Sequence, residues 1–442
     1  MSKQWLTMSM GDLGRAIGAG EIDPVALTQT YLDAISAHEF KDRIYARLTE
    51  DRALAEAKAA SERASSGQRL GLLDGVPISW KDLFDTAGVA TESGSALLKG
   101  RVPDRDAEVL RSTTAQGLVC LGKTHMSELA FSGLGLNPVT ATSPCVNDHD
   151  AVSGGSSSGA ATSVAFGLAA CGIGSDTGGS VRIPSAWNDL VGLKTTSGRV
   201  SSDGVVPLAA RFDTVGPLCR TVEDAALMLA ALEGRTPIDL RGAQVTGARL
   251  LVLENGLDGA RDQPKAGFDS ALDRLMNAGA EVTRAHLPIV DEALAMSGVL
   301  FTTEAYATWY NEIEAQPDLM FPEILERFRA GGQFTGVDFV SAWQRLDAIR
   351  DEYHQLVAGY DAVVLPTSPI MPPNVERLLS DHDYYVEENL WALRNTRVGN
   401  LMGSCGLSLP TGLPSTGFMM LGAPLAEERL LRLGAAVEAV LA

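Results

Sequence analysis

Residues 171–182, with the sequence Cys171-Gly172-Ile173-Gly174-Ser175-Asp176-Thr177-Gly178-Gly179-Ser180-Val181-Arg182, begin as an apolar strand and continue into a loop of glycine and serine. A second loop of this kind, residues 153–159 (Ser-Gly-Gly-Ser-Ser-Ser-Gly), lies directly before a small-residue run typical of a helix. Further upstream, residues 76–80 predict a buried strand that ends at Lys81. Helix and strand patterns alternate in this way up to Leu232, which indicates an α/β protein with a central sheet.

The rest of the chain continues the same mixture of elements. Helices are expected over most of residues 6–37, with a helix start at Pro24, and over residues 51–65. The later predictions are strands at 249–254 and 281–282, helices at 160–169 and 268–278, a mostly helical region at 299–357, a last strand at 362–365 and a closing helix at 427–442. Because no repeat or linker divides the chain, we expect one domain over residues 1–442.

The composition narrows the class of protein. The chain has 442 residues, of which 45% are apolar, and a formal net charge of −19. That charge argues against non-specific nucleic-acid binding, which requires a basic surface. The five cysteines are scattered and form no Cys-x-x-Cys pair, as expected of reduced thiols. The chain also lacks a signal peptide and any apolar run of the roughly 18 residues that a membrane helix needs. We therefore expect a cytoplasmic protein without a membrane partner.

Lys81 and the two loops of glycine and serine provide the parts of an acyl-transfer site that uses no histidine. A serine hydroxyl is a weak nucleophile until a base removes its proton. A lysine can act as that base when an apolar environment lowers its pKa. Glycines beside a serine allow backbone N–H groups to converge on one point, where they stabilise a developing oxyanion.

These motifs resemble those of the amidase signature hydrolases, whose hallmark is a Ser–Ser–Lys triad. Residues 75–82, Gly-Val-Pro-Ile-Ser-Trp-Lys-Asp, match the family's lysine segment and assign its lysine to Lys81. Ser156 matches the first serine of the family's G-G-S-S-[GS]-G loop. Ser180 matches the serine of [ST]-D-x-G-G-S-[IV]-R-x-P. The two serines are 24 residues apart and the lysine precedes Ser180 by 99 residues, and both separations suit the family.

The resemblance covers nearly the whole chain and is most specific over a core of about residues 71–223. Residues 235–359 carry few family features and are mostly helical in pattern. The fold that the resemblance implies is a single large α/β/α domain whose central mixed β-sheet is covered by helices. Other segments that look like family segments are 191–195, 213–217, 220–224, 360–367 and 400–403.

The resemblance implies a role for each site residue. Ser180 would be the acylated nucleophile, Ser156 the proton relay and Lys81 the base. Asp176 and Arg182 would hold the nucleophile loop in position. The backbone N–H groups expected to form the oxyanion hole, together with that of Ser180, are those of Thr177, Gly178 and Gly179. The residues expected to line the substrate pocket are Ala130, Phe131 and Ser132. The chemistry requires no cofactor and no metal.

A rival interpretation places the nucleophile at Ser157. Residues 155–159, Gly-Ser-Ser-Ser-Gly, also satisfy the G-x-S-x-G nucleophile elbow of α/β-hydrolase esterases. That motif needs a strand running straight into the elbow, whereas residues 147–150, Asn-Asp-His-Asp, are typical of a polar loop. Asp148-His149-Asp150 and Asp381-His382-Asp383 resemble metal ligands but lack a partner at ligand spacing, so both are expected to be solvated loops.

The substrate remains open at this stage. The expected partner is a small-molecule amide, and the resemblance leaves a homodimer open as an assembly. The triad is shared by free-standing amidases and by the glutaminase subunit of tRNA-dependent amidotransferases, so both stand as alternatives, beside a non-catalytic member of the family. Residues 403–406, Gly-Ser-Cys-Gly, depart from the family's usual small-Pro step and bear on the shape of the pocket rather than on the chemistry.

Overall fold

One mixed β-sheet of eleven strands runs through residues 2–442, the part of the chain that this computed structural model describes. The strands are β1 (Tyr45–Leu48), β2 (Pro77–Lys81), β3 (Val119–Thr124), β4 (Gly172–Ser175), β5 (Val191–Lys194), β6 (Val215–Cys219), β7 (Arg249–Leu253), β8 (Glu281–Ala285), β9 (Ala362–Pro366), β10 (Cys405–Pro410) and β11 (Gly417–Gly422). Their order across the sheet is β1-β3-β2-β4-β6-β5-β10-β11-β9-β7-β8. Strands β3, β2 and β4 are parallel, as are β9, β7 and β8, whereas the strands between these groups pair antiparallel.

Helices pack against most of the strands of this sheet. The α-helices are α1 (Ser2–Trp5), α2 (Met10–Gly18), α3 (Pro24–Ala37), α4 (Lys41–Ile44), α5 (Glu50–Ser65), α6 (Glu108–Ala115), α7 (Ser158–Ala165), α8 (Arg182–Trp187), α9 (Val222–Glu233), α10 (Asp262–Asn277), α11 (Pro288–Ala295), α12 (Thr303–Ala315), α13 (Pro322–Arg329), α14 (Gly336–Val357), α15 (Val375–Ser380), α16 (His382–Leu401) and α17 (Glu427–Leu441). A π-helical turn at Gly298–Thr302 precedes α12. Among residues 2–442, no helix combines the length and apolar character that crossing a bilayer requires.

The predicted α/β class with a central mixed sheet is confirmed. Every predicted strand is present, and the predicted helix start at Pro24 is correct because the Asp23 side chain caps α3 by accepting from the Ala26 N–H. Helix α7 ends at Ala165 rather than at the predicted residue 169, because Gly167 adopts a left-handed φ of 73° that stops the helix.

The strand predicted at residues 362–365 is present as β9, but two strands that the sequence did not predict follow it. Strands β10 and β11 follow β9 and join it to β5, so they lie in the middle of the sheet. Their sequences, CGLSLP and GFMMLG, contain the glycine, serine and proline that usually indicate loops. Pairing with distant strands on both sides decides their conformation instead, and residue patterns alone do not show such pairing.

The arrangement of β2 and β4 brings two predicted site segments together. These neighbouring strands are parallel, with Ser79 opposite Gly172 and Trp80 opposite Ile173. Because parallel strands end at the same edge of a sheet, Lys81 at the end of β2 lies beside Ser175 at the end of β4. The segments that carry Lys81 and Ser175 therefore meet at one edge of the sheet.

Candidate active site

Lys81 is completely buried at the end of β2 and points at serine hydroxyls. Its Nζ lies 2.7 Å from Ser156 Oγ and 2.8 Å from Ser175 Oγ. Burial lowers the pKa of Lys81 to about 7, although the negative charges of Asp213 and Asp176 partly oppose that shift. A lysine with this pKa is largely neutral just above pH 7, and it can then accept a proton from a hydroxyl group.

The loop before α7 holds Ser156 and Ser157 in different environments. The Gly155–Ser156 peptide bond is cis, and a side chain at Gly155 would come within 2.5 Å of the Gly135 backbone nitrogen, so the loop requires glycine there. Ser156 Oγ contacts Lys81 Nζ, whereas Ser157 Oγ donates to the Ser175 carbonyl (3.2 Å). The geometry therefore places Ser156, rather than Ser157, beside the basic group.

The loop that carries Ser180, the predicted nucleophile, is built around Asp176. This buried carboxylate accepts hydrogen bonds from the backbone N–H groups of Gly179 (2.8 Å) and Val181 (3.2 Å), and it pairs with the buried guanidinium of Arg182 at 2.9 Å. Burial alone would raise the pKa of the Asp176 carboxyl, but the charge and hydrogen bonds of Arg182 outweigh it and hold the pKa well below its ordinary value. Asp176 and Arg182 thus fix the backbone on both sides of Ser180.

Helix α16 supports this loop from the far end of the sequence. Arg182 donates to Asn400 Oδ1 (2.6 Å) and to the Thr396 carbonyl (2.7 Å), and Asn400 Nδ2 donates to Asp176 Oδ1 at 3.0 Å. Thr396 Oγ1 donates to the Gly178 carbonyl at 2.7 Å. Asn400 was part of a recognised family segment, but its sequence context did not reveal this contact.

The N–H groups predicted to form the oxyanion hole differ in their hydrogen bonding. That of Gly179 is already engaged, because it donates to Asp176. A Cβ atom at Gly179 would lie 2.1 Å from Thr396 Oγ1, and the φ of Gly179, 142°, also favours glycine. Thr177 is fixed through its hydroxyl, which donates to the buried Asp213 carboxylate at 2.5 Å. This arrangement leaves the N–H groups of Thr177, Gly178 and Ser180 as the candidate oxyanion donors.

Ser180 opens onto a narrow cleft of about 20 Å³. The predicted pocket residues Ala130, Phe131 and Ser132 all line this cleft, together with Thr177, Gly178, Leu208, Phe301, Arg327, Leu393 and Arg397. A volume of this size has about the room of one water molecule.

Several residues of this site were missed by the sequence analysis. Ser175 belongs to the quoted nucleophile segment, and its place at the end of β4 beside Lys81 could have indicated the contact with Nζ. Arg327 lies on α13 in the region with few family features, and Arg397 lies on α16, which the residue pattern did not predict. No motif indicated these two arginines.

One group of side chains outside the cleft has the spacing of metal ligands. His382, Glu323 and Glu326 offer ligand atoms within 4.8 Å of one another. His382 Nδ1 pairs with Glu323 at 2.7 Å, and Asp381 caps α16 rather than lying in a solvated loop. The three side chains are at least partly exposed, and none of them lines the cleft at Ser180.

The fold and the motif geometry together define the amidase signature class. The Amidase family model matches residues 26–431, and the chain belongs to that family. It is 32% identical over 448 residues to 2-amino-5-chloromuconic acid deaminase of Comamonas testosteroni, covering 98% of this chain and 96% of that protein. It is also 32% identical over 486 residues to the A subunit of the glutamyl-tRNA(Gln) amidotransferase of Anaeromyxobacter dehalogenans. That alignment covers 99% of this chain and 97% of that protein.

A solved structure agrees with this assignment. A crystal structure described as an amidase superposes with a TM-score of 0.88 at 30% identity and covers 98% of this chain and 100% of that chain. The family membership and the structural neighbour support a hydrolase that acts on amides.

Proposed function

We propose that this protein hydrolyses the C–N bond of a linear carboxylic amide through an acyl-enzyme on Ser180. The observation that carries the proposal is the 2.7 Å contact of the buried Lys81 Nζ with Ser156 Oγ. Burial lowers the pKa of Lys81 to about 7, which makes the lysine a usable base near neutral pH. The acylation step needs such a base because a serine hydroxyl is otherwise a weak nucleophile.

In the acylation step, neutral Lys81 takes a proton from Ser156, and Ser156 takes one from Ser180. Ser180 Oγ then forms a bond to the amide carbonyl carbon, and the carbonyl oxygen becomes an oxyanion. The N–H groups of Thr177, Gly178 and Ser180 stabilise this oxyanion, and one such donor typically contributes about 2.7–4 kcal/mol. The Gly179 N–H contributes indirectly, because its bond to Asp176 holds the loop in place.

The departing nitrogen receives its proton by the reverse route. Lys81 returns the proton through Ser156, since an amide nitrogen leaves poorly unless it is protonated. Breaking of the C–N bond releases ammonia or an amine and leaves the acyl group on Ser180. Water then attacks the acyl-enzyme with the same relay as its base, which frees the carboxylic acid.

The test uses the paired variants Ser180→Ala and Ser157→Ala. Ammonia release is measured across a panel of small primary amides, with glutamine included and no partner protein added. We expect Ser180→Ala to abolish turnover and labelling by a fluorophosphonate probe. Ser157→Ala should keep both, because the Ser157 hydroxyl bonds to the Ser175 backbone rather than to Lys81.

Two results would overturn the proposal or redirect it. Labelling that survives in Ser180→Ala but disappears in Ser157→Ala would establish the esterase elbow instead. Glutamine turnover that appears only when partner proteins are supplied would favour the role of an amidotransferase component, as in the relative from Anaeromyxobacter dehalogenans. The net charge of −19 argues against direct contact with RNA, so we place the free-standing amidase first.

A further inference from the structure

Asp213 is a largely buried acid that the pairing of β4 with β6 brings to the active site. Strand β6 begins at Val215, which lies opposite Ser175, the last residue of β4. Two residues before Val215, Asp213 accepts a hydrogen bond from the Thr177 hydroxyl (2.5 Å). Because Ser175 also contacts Lys81 Nζ at 2.8 Å, Asp213 and the lysine lie near the same end of β4.

The neighbours of Asp213 are hydrogen-bond donors. Besides the Thr177 hydroxyl, the backbone N–H groups of Leu208 (2.9 Å) and Ala209 (3.2 Å) donate to its carboxylate. Burial raises the pKa of Asp213, while these hydrogen bonds and the charge of Lys81 act against that shift. The anion suits this environment better than the protonated acid, because the O–H of a protonated acid would need an acceptor.

The two acids that act on Lys81 differ in how their charges are compensated. Asp176 is neutralised by its ion pair with Arg182 at 2.9 Å. Asp213 has no ion-pair partner within residues 2–442, and the positive charge that lowers its pKa is that of Lys81. In the other direction, Asp213 is the acid that most strongly opposes the effect of burial on the pKa of Lys81. Asp213 is therefore the counter-charge available to a protonated Lys81.

Two further charged groups face Asp213 from neighbouring segments. Glu304 of α12 accepts from the Arg211 N–H at 3.0 Å. Burial and the negative charge of Asp213 raise the pKa of Glu304, and the charge of Arg211 opposes that rise. Neither Glu304 nor Arg211 is among the charges that shift the pKa of Lys81. The electrostatic effect on the lysine therefore belongs to Asp213 and not to α12.

Little water fits beside these groups. Ser175, Thr177 and Asp213 all line a gap of about 10 Å³. This volume is about the space that one water molecule needs. Because so little solvent is present, the charge of Asp213 is only weakly screened from Lys81.

We propose that Asp213 is a positioning residue of the reaction: its carboxylate stabilises the Lys81 ammonium that forms during acylation, and it holds the loop of oxyanion donors through the Thr177 hydroxyl. This inference rests on the amidase proposal, because it requires Lys81 to accept the proton of Ser180. That proton reaches Lys81 through Ser156 and returns to the leaving nitrogen, while Asp213 neither gains nor loses a proton. The carboxylate contributes to catalysis because its attraction for the lysine is strongest once the ammonium has formed.

Two variants separate the charge of Asp213 from its hydrogen bonds. Asp213→Asn removes the charge and keeps the shape of the side chain. Its amide oxygen can accept from the two backbone N–H groups, and its amide nitrogen can donate to Thr177 Oγ1 once that hydroxyl has rotated. Thr177→Val does the reverse, because it removes the hydroxyl and leaves the carboxylate in place.

The measurement is kcat and kcat/KM for a neutral amide between roughly pH 5 and pH 9. In Asp213→Asn, the acid limb of the kcat/KM profile should move to lower pH by about one unit, because the Lys81 ammonium loses its counter-charge. On the alkaline plateau, kcat should fall about 3- to 10-fold, since the lysine becomes a weaker base. Thr177→Val should also lower kcat, but its acid limb should stay at the parental pH.

Asp189→Asn is the matched control. Burial also raises the pKa of Asp189, and its carboxylate accepts the Ser415 N–H at 2.8 Å, but it is not among the charges that act on Lys81. Its profile should match that of the parent. The inference is overturned by an acid limb that stays at the parental pH in Asp213→Asn, or by one that moves equally in Asp189→Asn or Thr177→Val.

A second variant and two reference variants complete the test. Asp213→Ser removes the same charge with a smaller side chain, so it replaces Asp213→Asn if that variant does not fold, as judged by near-ultraviolet circular dichroism. It should move the acid limb in the same direction. If Ser180→Ala or Lys81→Met keeps the parental turnover, the amidase proposal itself fails. If both abolish turnover and the Asp213 variants leave the acid limb in place, only the inference about Asp213 fails.

Discussion

At the scale of single residues, Lys81 depends on its surroundings for its chemistry. An exposed lysine has a pKa of roughly 10.4 and is a cation at neutral pH. Complete burial at the end of β2 removes the solvation of the charged form and lowers the pKa of Lys81 to about 7. Asp213 and Asp176 oppose this shift from a distance, so moderate changes at either acid should move the pH dependence of the reaction.

The first prediction follows from the sign of that pKa shift. Only the deprotonated form of Lys81 can accept the proton, so kcat/KM should rise about tenfold per pH unit below pH 7 and level off by about pH 8. The measurement uses a neutral amide, so that substrate ionisation does not contribute to the profile. Ser157→Ala should leave the profile unchanged. Activity that is highest near roughly pH 5 and falls by about pH 8 would contradict a neutral lysine base.

The second prediction separates the relay from the nucleophile. Ser156→Ala removes the hydroxyl that contacts Lys81 Nζ but leaves Ser180 and the oxyanion donors in place. We expect a loss of about 10²–10⁴-fold in amide turnover, the usual contribution of general acid–base assistance. The loss should be smaller for an ester of the same acyl group, because an alkoxide needs less protonation to leave than an amide nitrogen does.

A matched amide–ester pair, assayed with the parent enzyme and with Ser156→Ala, checks this expectation. Ser157→Ala serves as the control, since it removes a neighbouring hydroxyl that bonds only to the Ser175 backbone. Retention of the parental amide rate in Ser156→Ala would show that Ser156 is a turn residue and that the relay is wrong.

At the scale of elements, local patterns predicted those parts of the fold and of the site that depend on nearby residues. Strands β2 and β4 are short apolar runs, and each ends at a polar residue of the site, Lys81 or Ser175. The family motifs around them grouped the lysine and serine segments, and the parallel pairing of β2 with β4 accounts for the contact of Lys81 with Ser175. The candidate triad was therefore proposed from its motifs, whereas the pairing of β2 with β4 came only with the structure.

The parts that sequence did not predict depend on contacts between distant segments. Strands β10 and β11 form because β5 and β9 flank them in the sheet. Strand β5 lies more than 200 residues upstream of β10, and β9 lies about 40 residues upstream of it. The network that holds Asp176 and Arg182 is completed by Asn400, and the cleft is completed by Arg327 and Arg397. An arginine on a half-buried helix carries no local pattern that tells whether it faces solvent or a reaction cleft.

At the scale of the whole molecule, helices from the beginning, middle and end of the chain meet at a small cluster of acids. Asp224 on α9 accepts from the Gly11 N–H of α2 (3.0 Å), and Glu438 on α17 accepts from the Val222 N–H at the start of α9 (2.9 Å). Burial raises the pKa of Asp224 to about 6 and that of Glu438 to about 7, and the charge of Asp224 adds to the shift at Glu438. These contacts connect α2, near the start of the chain, with α17, the last helix, through α9. Because Asp224 and Glu438 are largely buried, ionising either carboxyl group costs free energy of folding.

The third prediction is that Glu438→Gln stabilises the protein at alkaline pH. The folded-state pKa of Glu438, about 7, lies above the value of roughly 4.3 expected in the unfolded chain. The stability that the protonated acid contributes is therefore complete below about pH 4 and is lost as pH rises through 7. The amide oxygen of the substituted glutamine would still accept from the Val222 N–H, but the side chain would carry no charge. The gain in unfolding free energy should be about 1 kcal/mol larger at pH 8 than at pH 5, allowing for the partial exposure of this side chain.

Urea unfolding of the parent and of Glu438→Gln at pH 5, 6, 7 and 8 gives the measurement. The control is Glu428→Gln on the same helix α17, because hydrogen bonds from Arg199 lower the pKa of Glu428 below its ordinary value. Glu428 therefore contributes stability that is present above its unfolded pKa, so its replacement should cost stability at pH 8 rather than add it. A gain for Glu438→Gln that is the same at every pH would mean that the helix contact, and not the buried charge, sets the effect.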